Sequence, residues 1–383
     1  MSNVSLGVIV NGATSRLARH QHLPALLAIR REGGLLLSNG RRVIPEPILV
    51  GRNAVALREL ADVTGIKRWS TNLDTVLAGN DDVFFDVAAT GQRFQSVARA
   101  IGAGKHVYCE KPIATSLIEA MQLVSLATAA GIRHGTVQDK IFLPGFRKLL
   151  MLRKSGFFGR ILEARLEFGR WIFDGEHQPV QRPSWNYRKA DGGGLLLDMF
   201  PHWRYMIDHL IGKVMSVSCT CRTHIGQRRD EAGVPYEVDV EDSAFAQIEV
   251  EGNVLVSVNS SWCTRIRRDD VIVLQVDGTA GSAVATPHEC YTQADLNTPT
   301  PVITIDTPQT HDFFAQWLSV PDNEKAPNSY RAGWERFIRH VAEGAEFPFT
   351  LLEGAKGVQL AELAHRSDTE RRWIEVPDLE RPA

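Results

Sequence analysis

Two short segments hold residue types suited to acid–base chemistry. The first is Gly104-Lys105-His106-Val107-Tyr108-Cys109-Glu110-Lys111-Pro112, where a β-branched and aromatic run stops at an acid, a base and a proline. Ligands of open α/β sheets bind beyond the carboxyl ends of the strands. The fixed φ of Pro112 holds Lys111 in place, so its ammonium reads as a group aimed at a ligand. A surface turn with a salt bridge would give the same tripeptide. The second segment runs from Trp185 through Gly192-Gly193-Gly194 to Asp198, Pro201 and His202. Successive glycines let backbone approach a ligand closely. The helical pattern that follows places Asp198 and His202 four residues apart, on one face. A carboxylate beside an imidazole is a proton relay: the acid orients the ring and raises its basicity, and the ring titrates near neutral pH. Pro201 would clash with the Leu197 carbonyl inside a regular helix, so the sequence predicts a late start or a kink there.

These segments need a scaffold, and the pattern supplies one. Residues 5–11 are a short apolar run suited to a buried parallel strand. Gly12 breaks the run, and helical spacing follows over 16–31. Residues 32–46 read as an insertion rich in turn formers. Strand patterns recur at 47–51, 83–88, 106–109 and 133–137, with helical patterns at 53–64, 92–103 and 115–130. This alternation predicts βαβ units. From 159 to 173 and from 213 to 305 long alternating runs indicate half-buried antiparallel strands, and helical pattern returns at 328–343 and 353–367. The expected architecture is an α/β N-terminal Rossmann-like domain with a parallel sheet over 1–138. An α+β C-terminal domain with one large, mainly antiparallel sheet follows over 139–383, for substrate binding and oligomerisation.

The first turn, Asn11-Gly12-Ala13-Thr14-Ser15-Arg16-Leu17, keeps only the first glycine of a dinucleotide fingerprint. Gly12 permits the tight turn, and the next helix offers free N–H groups to a phosphate. Thr14 and Ser15 add hydroxyls and Arg16 adds charge. After the second strand, Val50-Gly51-Arg52-Asn53 has no carboxylate for a ribose 2′-hydroxyl. Arg52 faces a 2′-phosphate or stacks on adenine, which leans toward NADP and leaves NAD open.

Bulk composition narrows the class. The 383 residues are 44% hydrophobic and 23% charged with net charge −2, which indicates a folded chain of about two domains. The charge excludes a basic nucleic-acid surface. The arginine pairs, such as Arg41-Arg42 and Arg267-Arg268, are scattered and read as solvated faces. Five cysteines show no framework spacing, and Cys219 and Cys221 share one strand face without a further ligand pair, so no metal is expected. The start, Met1-Ser-Asn-Val-Ser, has no basic n-region, and no apolar run reaches spanning length. The expected setting is cytoplasmic, with no membrane partner.

Glu110-Lys111-Pro112 after a parallel-sheet strand, followed by Gly-Gly-Gly-x-x-x-Asp198-x-x-x-His202, resembles the glucose–fructose oxidoreductase / inositol dehydrogenase family (Gfo/Idh/MocA). The resemblance covers nearly the whole chain. It implies an NAD(P)-dependent oxidoreductase that interconverts a secondary hydroxyl and a ketone on a sugar, glycoside or cyclitol. Lys111 would stabilise charge on the reacting oxygen, His202 would take the hydroxyl proton, and Asp198 would bind a neighbouring hydroxyl and orient the ring. Glu110 would seat the nicotinamide side, the Lys111–Pro112 bond would be cis, and Thr90 and Gly91 would line the dinucleotide with Gly12, Ala13, Thr14, Ser15, Arg16, Leu17, Gly51 and Arg52. The chain departs from the family at Phe200, where glycine is common and which adds bulk near the pocket. It departs again at Asp139-Lys140-Ile141-Phe142, which replaces Asn-x-Arg-Phe. Aromatic and charged residues near the motif suit a carbohydrate. Asp139, Trp185 and Arg188, with Lys111, Asp198 and His202, are the expected substrate contacts, Arg188 foremost. The family's sheet packing implies a homodimer or homotetramer. A non-catalytic, cofactor-binding regulator is the other reading, and retention of Lys111, Asp198 and His202 favours the enzyme.

Overall fold

The computed structural model describes residues 3–266, 270–300, 305–306, 308, 311–322 and 327–380. The Arg267-Arg268 pair and residues 301–304, near the end of the predicted alternating run, lie outside them. The first sheet has the order β2-β3-β1-β5-β6-β7, with β4 beside β3. Its strands are β1 (Asn3–Asn11), β2 (Leu35–Leu36), β3 (Arg42–Val50), β4 (Trp69–Ser70), β5 (Val83–Asp86), β6 (His106–Cys109) and β7 (His134–Thr136). All pairs are parallel except β2–β3. Helices α1 (Leu23–Arg31), α2 (Ala54–Thr64), α3 (Leu73–Leu77), α4 (Thr90–Gly102) and α5 (Leu117–Ala129) complete the βαβ units. Asn53, Asn72 and Ser116 cap α2, α3 and α5 through side-chain oxygens that accept backbone N–H bonds.

Half of the predicted 32–46 insertion is strand. β3 begins at Arg42 and carries Pro45 and Pro47. Leu49 donates its N–H to the Arg68 carbonyl, on the β4 side. Residues 45 and 47 share its parity, so their imide nitrogens face the same way. On that side β2 pairs only with residues 42–43 and β4 only with 49–50. The prolines therefore remove no ladder bond, which is how a strand tolerates them.

Among the described residues the second sheet has nine strands in the order β17-β16-β15-β14-β8-β13-β12-β9-β18. They are β8 (Ile161–Gly169), β9 (Val214–Arg222), β12 (Ser243–Val250), β13 (Val254–Ser261), β14 (Ile272–Gly278), β15 (Gly281–Ala285), β16 (Cys290–Ala294), β17 (Leu318–Ser319) and β18 (Ile374–Glu375). β10 (Gln227–Arg229) and β11 (Pro235–Glu237) form a separate ribbon. Among the described residues the β8–β13 pair is the only parallel one in this sheet. The strict alternation of β12 buries Ala244, Ala246, Ile248 and Val250 and exposes Phe245, Gln247 and Glu249. The buried face packs with α7 (Leu195–Leu210) and α9 (Leu351–Glu370), which follow α6 (Pro144–Lys154) and α8 (Ser329–Glu343) in the chain.

The last helices return to the first sheet. Trp334 and Phe337 of α8 pack on Tyr108, with ring centroids at 5.0 and 4.6 Å. Thr136 N–H bonds the Phe349 carbonyl at 2.8 Å. α9 contacts α5 and β7 on one side and α7 and β9 on the other, so it ties the two sheets together where β6 and α7 converge. Among the described residues no helix is long and apolar enough to cross a membrane.

Candidate active site

A cleft of about 770 Å³ lies where the two halves meet. The first half lines it with Gly12, Thr14, Ser15, Arg16, Leu17, Gly51, Arg52, Thr90, Glu110 and Lys111, and the second with Arg182, Trp185, Asn186, the glycine run and Asp198. Gly12 has φ +80°, and a Cβ there would stand 2.6 Å from the Ala88 nitrogen, so the first turn packs against the end of β5. There Asp86 gathers Asn11 Nδ2 (2.8 Å), the Ala88 N–H (3.1 Å), Arg93 Nε (3.1 Å) and Ser96 Oγ (2.6 Å). Arg93 also donates to the Pro112 carbonyl, just past the Lys111–Pro112 peptide, which is cis.

Two expected cofactor residues do other work. Ala13 is fully buried and bonds Val50 through its N–H (3.0 Å). Gly91 faces the Asp191 carbonyl, 3.2 Å from where a Cβ would be. Neither lines the cleft. The glycine run lines it, yet its positive φ values and close neighbours, Thr115 at Gly192 and Glu241 at Gly194, show that chain packing also demands glycine there.

Glu110 is 3% exposed and accepts from His22 Nε2 at 2.9 Å and from the Lys111 N–H at 3.1 Å. Trp334 Nε1 reaches His22 Nδ1 at 3.2 Å. An indole nitrogen only donates, so Nδ1 accepts and the ring proton sits on Nε2, toward Glu110. His22 lies in a π-turn, Ala18–His22, that begins α1. Glu110 is thus a strut beneath Lys111, tied to α1 and α8.

Lys111 Nζ stands 2.9 Å from Asp198 Oδ1 and 2.8 Å from the Asp198 carbonyl. Arg182 donates to Asp198 Oδ2 (2.8 Å) and to Asn186 Oδ1 (2.6 Å), and lies over the Trp262 ring at 4.5 Å. Burial pushes the Asp198 carboxyl up, but Arg182 and Lys111 together outweigh it and hold the group far below the usual carboxylate range. Arg182 escaped the sequence reading because it lies in an irregular segment without periodicity. Arg188, the foremost expected substrate contact, stacks on Tyr236 at 4.7 Å and does not line the cleft.

The expected Asp198–His202 relay is replaced by another. His202 Nδ1 meets the Tyr205 hydroxyl at 2.8 Å, and that hydroxyl lies 3.3 Å from Asp139 Oδ1. Asp139, 4% exposed, pairs with Lys140 Nζ at 2.6 Å, and like His202, 5% exposed, it is not part of the cleft lining. Burial is the largest influence on His202 and, with Lys111 and Lys140, lowers its pKa well below the ordinary value. α7 starts at Leu195 and runs through Pro201, whose ring packs where Gly357 of α9 makes room. Phe200 is fully buried in the core and adds no bulk to the cleft.

Comparison with known proteins agrees with this geometry. Residues 42–136 match the model described as the oxidoreductase family, NAD-binding Rossmann fold, and residues 146–284 match the GFO/IDH/MocA C-terminal domain. D-xylose dehydrogenase of Paenarthrobacter nicotinovorans is 46% identical over 380 residues, 97% of each chain. The chain belongs to the GFO/IDH/MocA oxidoreductase family. Levoglucosan dehydrogenase of Pseudarthrobacter phenanthrenivorans is 25% identical over 370 residues, 88% of this chain and 92% of that one. The solved structure of a levoglucosan dehydrogenase with NADH and L-sorbose superposes with TM-score 0.81 at 20% identity, covering 98% of this chain and 99% of the other, and shows the same fold. The chain is an NAD(P)-dependent oxidoreductase acting on CH–OH groups. The cleft suits that cofactor: its volume lies in the range of ligand sites, and the left-handed Gly12 turn, Thr14 and the arginines Arg16 and Arg52 line it.

Proposed function

We propose that this oxidoreductase oxidises a CH–OH carbon of a free monosaccharide, with D-xylose first among the candidates, and reduces the matching carbonyl in reverse. The observation that carries the proposal is the Lys111–Asp198–Arg182 cluster in the cleft wall, with His202 buried behind it, near enough for Lys111 and Asp198 to act on its charge. An ammonium has three N–H groups. Two of those on Lys111 are held by Asp198, and the third is left for the oxygen of the reacting carbon. Lys111 thereby stabilises negative charge as it develops on that oxygen. Asp198, kept ionised, accepts from a neighbouring sugar hydroxyl. His202, kept neutral, takes the hydroxyl proton. Trp185 gives the sugar an apolar surface in the same wall. A bound nicotinamide dinucleotide supplies the hydride acceptor. The 46% identity to a D-xylose dehydrogenase supports a sugar of that size.

The cofactor reading is NADP in preference to NAD. Arg16 and Arg52 are exposed and line the cleft, and no carboxylate follows β3. The division near residue 138 into a dinucleotide half and a substrate half belongs to the same reading. So does assembly into a homodimer or homotetramer through the outer face of the nine-stranded sheet, where Phe245 and Leu255 are each 44% exposed. Five free cysteines, with the Cys219 and Cys221 sulfurs in a 3.7 Å hydrogen bond and no disulfide, suit a reducing cytoplasm. The test is a panel of D-xylose, other aldoses, levoglucosan and inositol with NADP and NAD, read as nicotinamide reduction. Carbon-13 NMR of the product then separates a lactone from a ring ketone. Turnover of inositol alone would overturn the monosaccharide assignment.

A further inference from the structure

We infer that Tyr205 and Asp139 are positioning residues for His202, forming a buried relay, His202 Nδ1–H to Tyr205 Oη–H to Asp139 Oδ1, that fixes the imidazole tautomer and stabilises its protonated form. The inference rests on the role proposed above for His202.

The hydrogen-bond count at Tyr205 argues it. A phenol oxygen carries one proton and two lone pairs. One lone pair accepts the Lys140 backbone N–H at 3.1 Å. The two remaining neighbours are His202 Nδ1 at 2.8 Å and Asp139 Oδ1 at 3.3 Å. Asp139 is buried, and against the effect of that burial the Lys140 ammonium at 2.6 Å, with Lys111 further off, holds its carboxyl below the usual range. The phenol proton belongs on that carboxylate, the stronger acceptor. The second lone pair then accepts a hydrogen bond from His202 Nδ1–H, which leaves Nε2 bare. Nε2 is the nitrogen a base on this ring needs.

The opposite arrangement, with the phenol proton on His202 Nδ1, takes this donor from the carboxylate and puts the ring proton on Nε2. It also fails once the ring gains a proton, because both nitrogens are then donors. As His202 takes the substrate hydroxyl proton at Nε2, its Nδ1–H stays on Tyr205, and Asp139 faces the new positive charge through the phenol and directly, its Oδ1 standing 3.8 Å from Nδ1. The charged surroundings make this counter-charge necessary. Lys111 and Lys140 oppose an imidazolium, Asp139 and Asp198 favour it, and burial opposes it most. Tyr330 of α8 faces Asp139 as well, and Tyr330 and Glu110 lie near enough to act on Tyr205. Tyr205 is one helical turn beyond His202, at i+3, so α7 itself fixes their spacing.

The experiment reads the ring directly and does not need a substrate. The full chain is labelled with 15N-histidine, and the His202 signals are identified by their loss in His202→Gln. At neutral pH the wild type is expected to show a neutral His202 with its proton on Nδ1. Tyr205→Phe is expected to lose that preference and give mixed tautomers, with the other histidine signals unchanged. Asp139→Asn tests the charged end with the phenol kept, and is expected to weaken the same preference. An Nε2–H tautomer in the wild type, or His202 signals unchanged in both variants, would overturn the relay. With a turned-over sugar, Tyr205→Phe is expected to lower kcat at least tenfold while KM for the dinucleotide stays within twofold. Unchanged kcat would also overturn it. Absence of turnover by the wild type would instead count against the sugar assignment, leaving the tautomer measurement to decide the relay.

Discussion

Arg182 and Lys111 grip opposite oxygens of one carboxylate, Asp198, at 2.8 and 2.9 Å. Lys111 comes from the loop after a strand of the parallel sheet, and Arg182 from the irregular segment that precedes α7. The site is therefore completed only where the two halves meet. Arg182 also lies over Trp262 and bonds Asn186, so its position is set by the second half alone.

Arg182→Ala should raise KM for the sugar about tenfold or more, since hydrogen bonds to charged groups contribute about 1.5–3 kcal/mol. Arg182→Lys should recover little, because a compact ammonium neither stacks on Trp262 nor reaches both acceptors. Steady-state kinetics of both variants checks this. A lysine variant with wild-type KM would remove the stacked fork from the account.

Arg52→Asp should reverse the cofactor preference. The carboxylate would accept from a ribose 2′-hydroxyl and repel a 2′-phosphate. Fluorescence titration should show NADPH binding weakened at least tenfold, about 1.4 kcal/mol, with NADH binding equal or tighter. Unaltered selectivity would mean that Arg52 does not read the 2′ position.

Gly12→Ala should destabilise the fold by at least about 1–3 kcal/mol, as expected for a side chain forced into a left-handed conformation. The added methyl would also press on Ala88, 2.6 Å from its nitrogen. Denaturant unfolding measures the loss, and dinucleotide binding should fall with it.

The pH dependence follows from His202. Oxidation needs the neutral ring, and the folded pKa lies well below its ordinary 6.5. The kcat/KM for oxidation should stay flat as pH falls from 8 through about 6.5, with its acid limb below that. Stability takes the same sign. The unfolded histidine binds its proton near pH 6.5 and the folded one does not, so acidification from that point favours unfolding. An acid limb centred above 6.5 would contradict the assignment of the base.

Much of this was legible in the sequence, for physical reasons. The apolar runs of β1, β5 and β6 and the alternation of β12 and β13 follow directly from burial on two faces and on one. Half of β3 is hidden in the sequence, because Pro45 reads as a turn residue and the strand pattern starts only at 47, until the open side of the strand is known. Lys111, Asp198 and His202 stand out in the sequence by type and spacing. Their partners do not, because helical spacing places Asp198 and His202 on one face without saying which neighbours approach them. Lys111 and Arg182 claim Asp198, and Tyr205 with Asp139 claims His202, from segments far apart in the chain. Arg188 and Arg182 are six residues apart in one irregular stretch, where no periodicity tells which arginine turns inward.

The most direct test of the account compares wild type and Lys111→Ala with D-xylose and NADP or NAD, following nicotinamide reduction at a fixed wavelength. The account predicts that the wild type turns over. It predicts that the variant binds the dinucleotide within about threefold of wild type and loses roughly 10²–10³ in kcat, the scale of one donor to a developing oxyanion. Equal turnover by the two proteins, or reduction of neither dinucleotide by the wild type with any sugar of the panel, would contradict it.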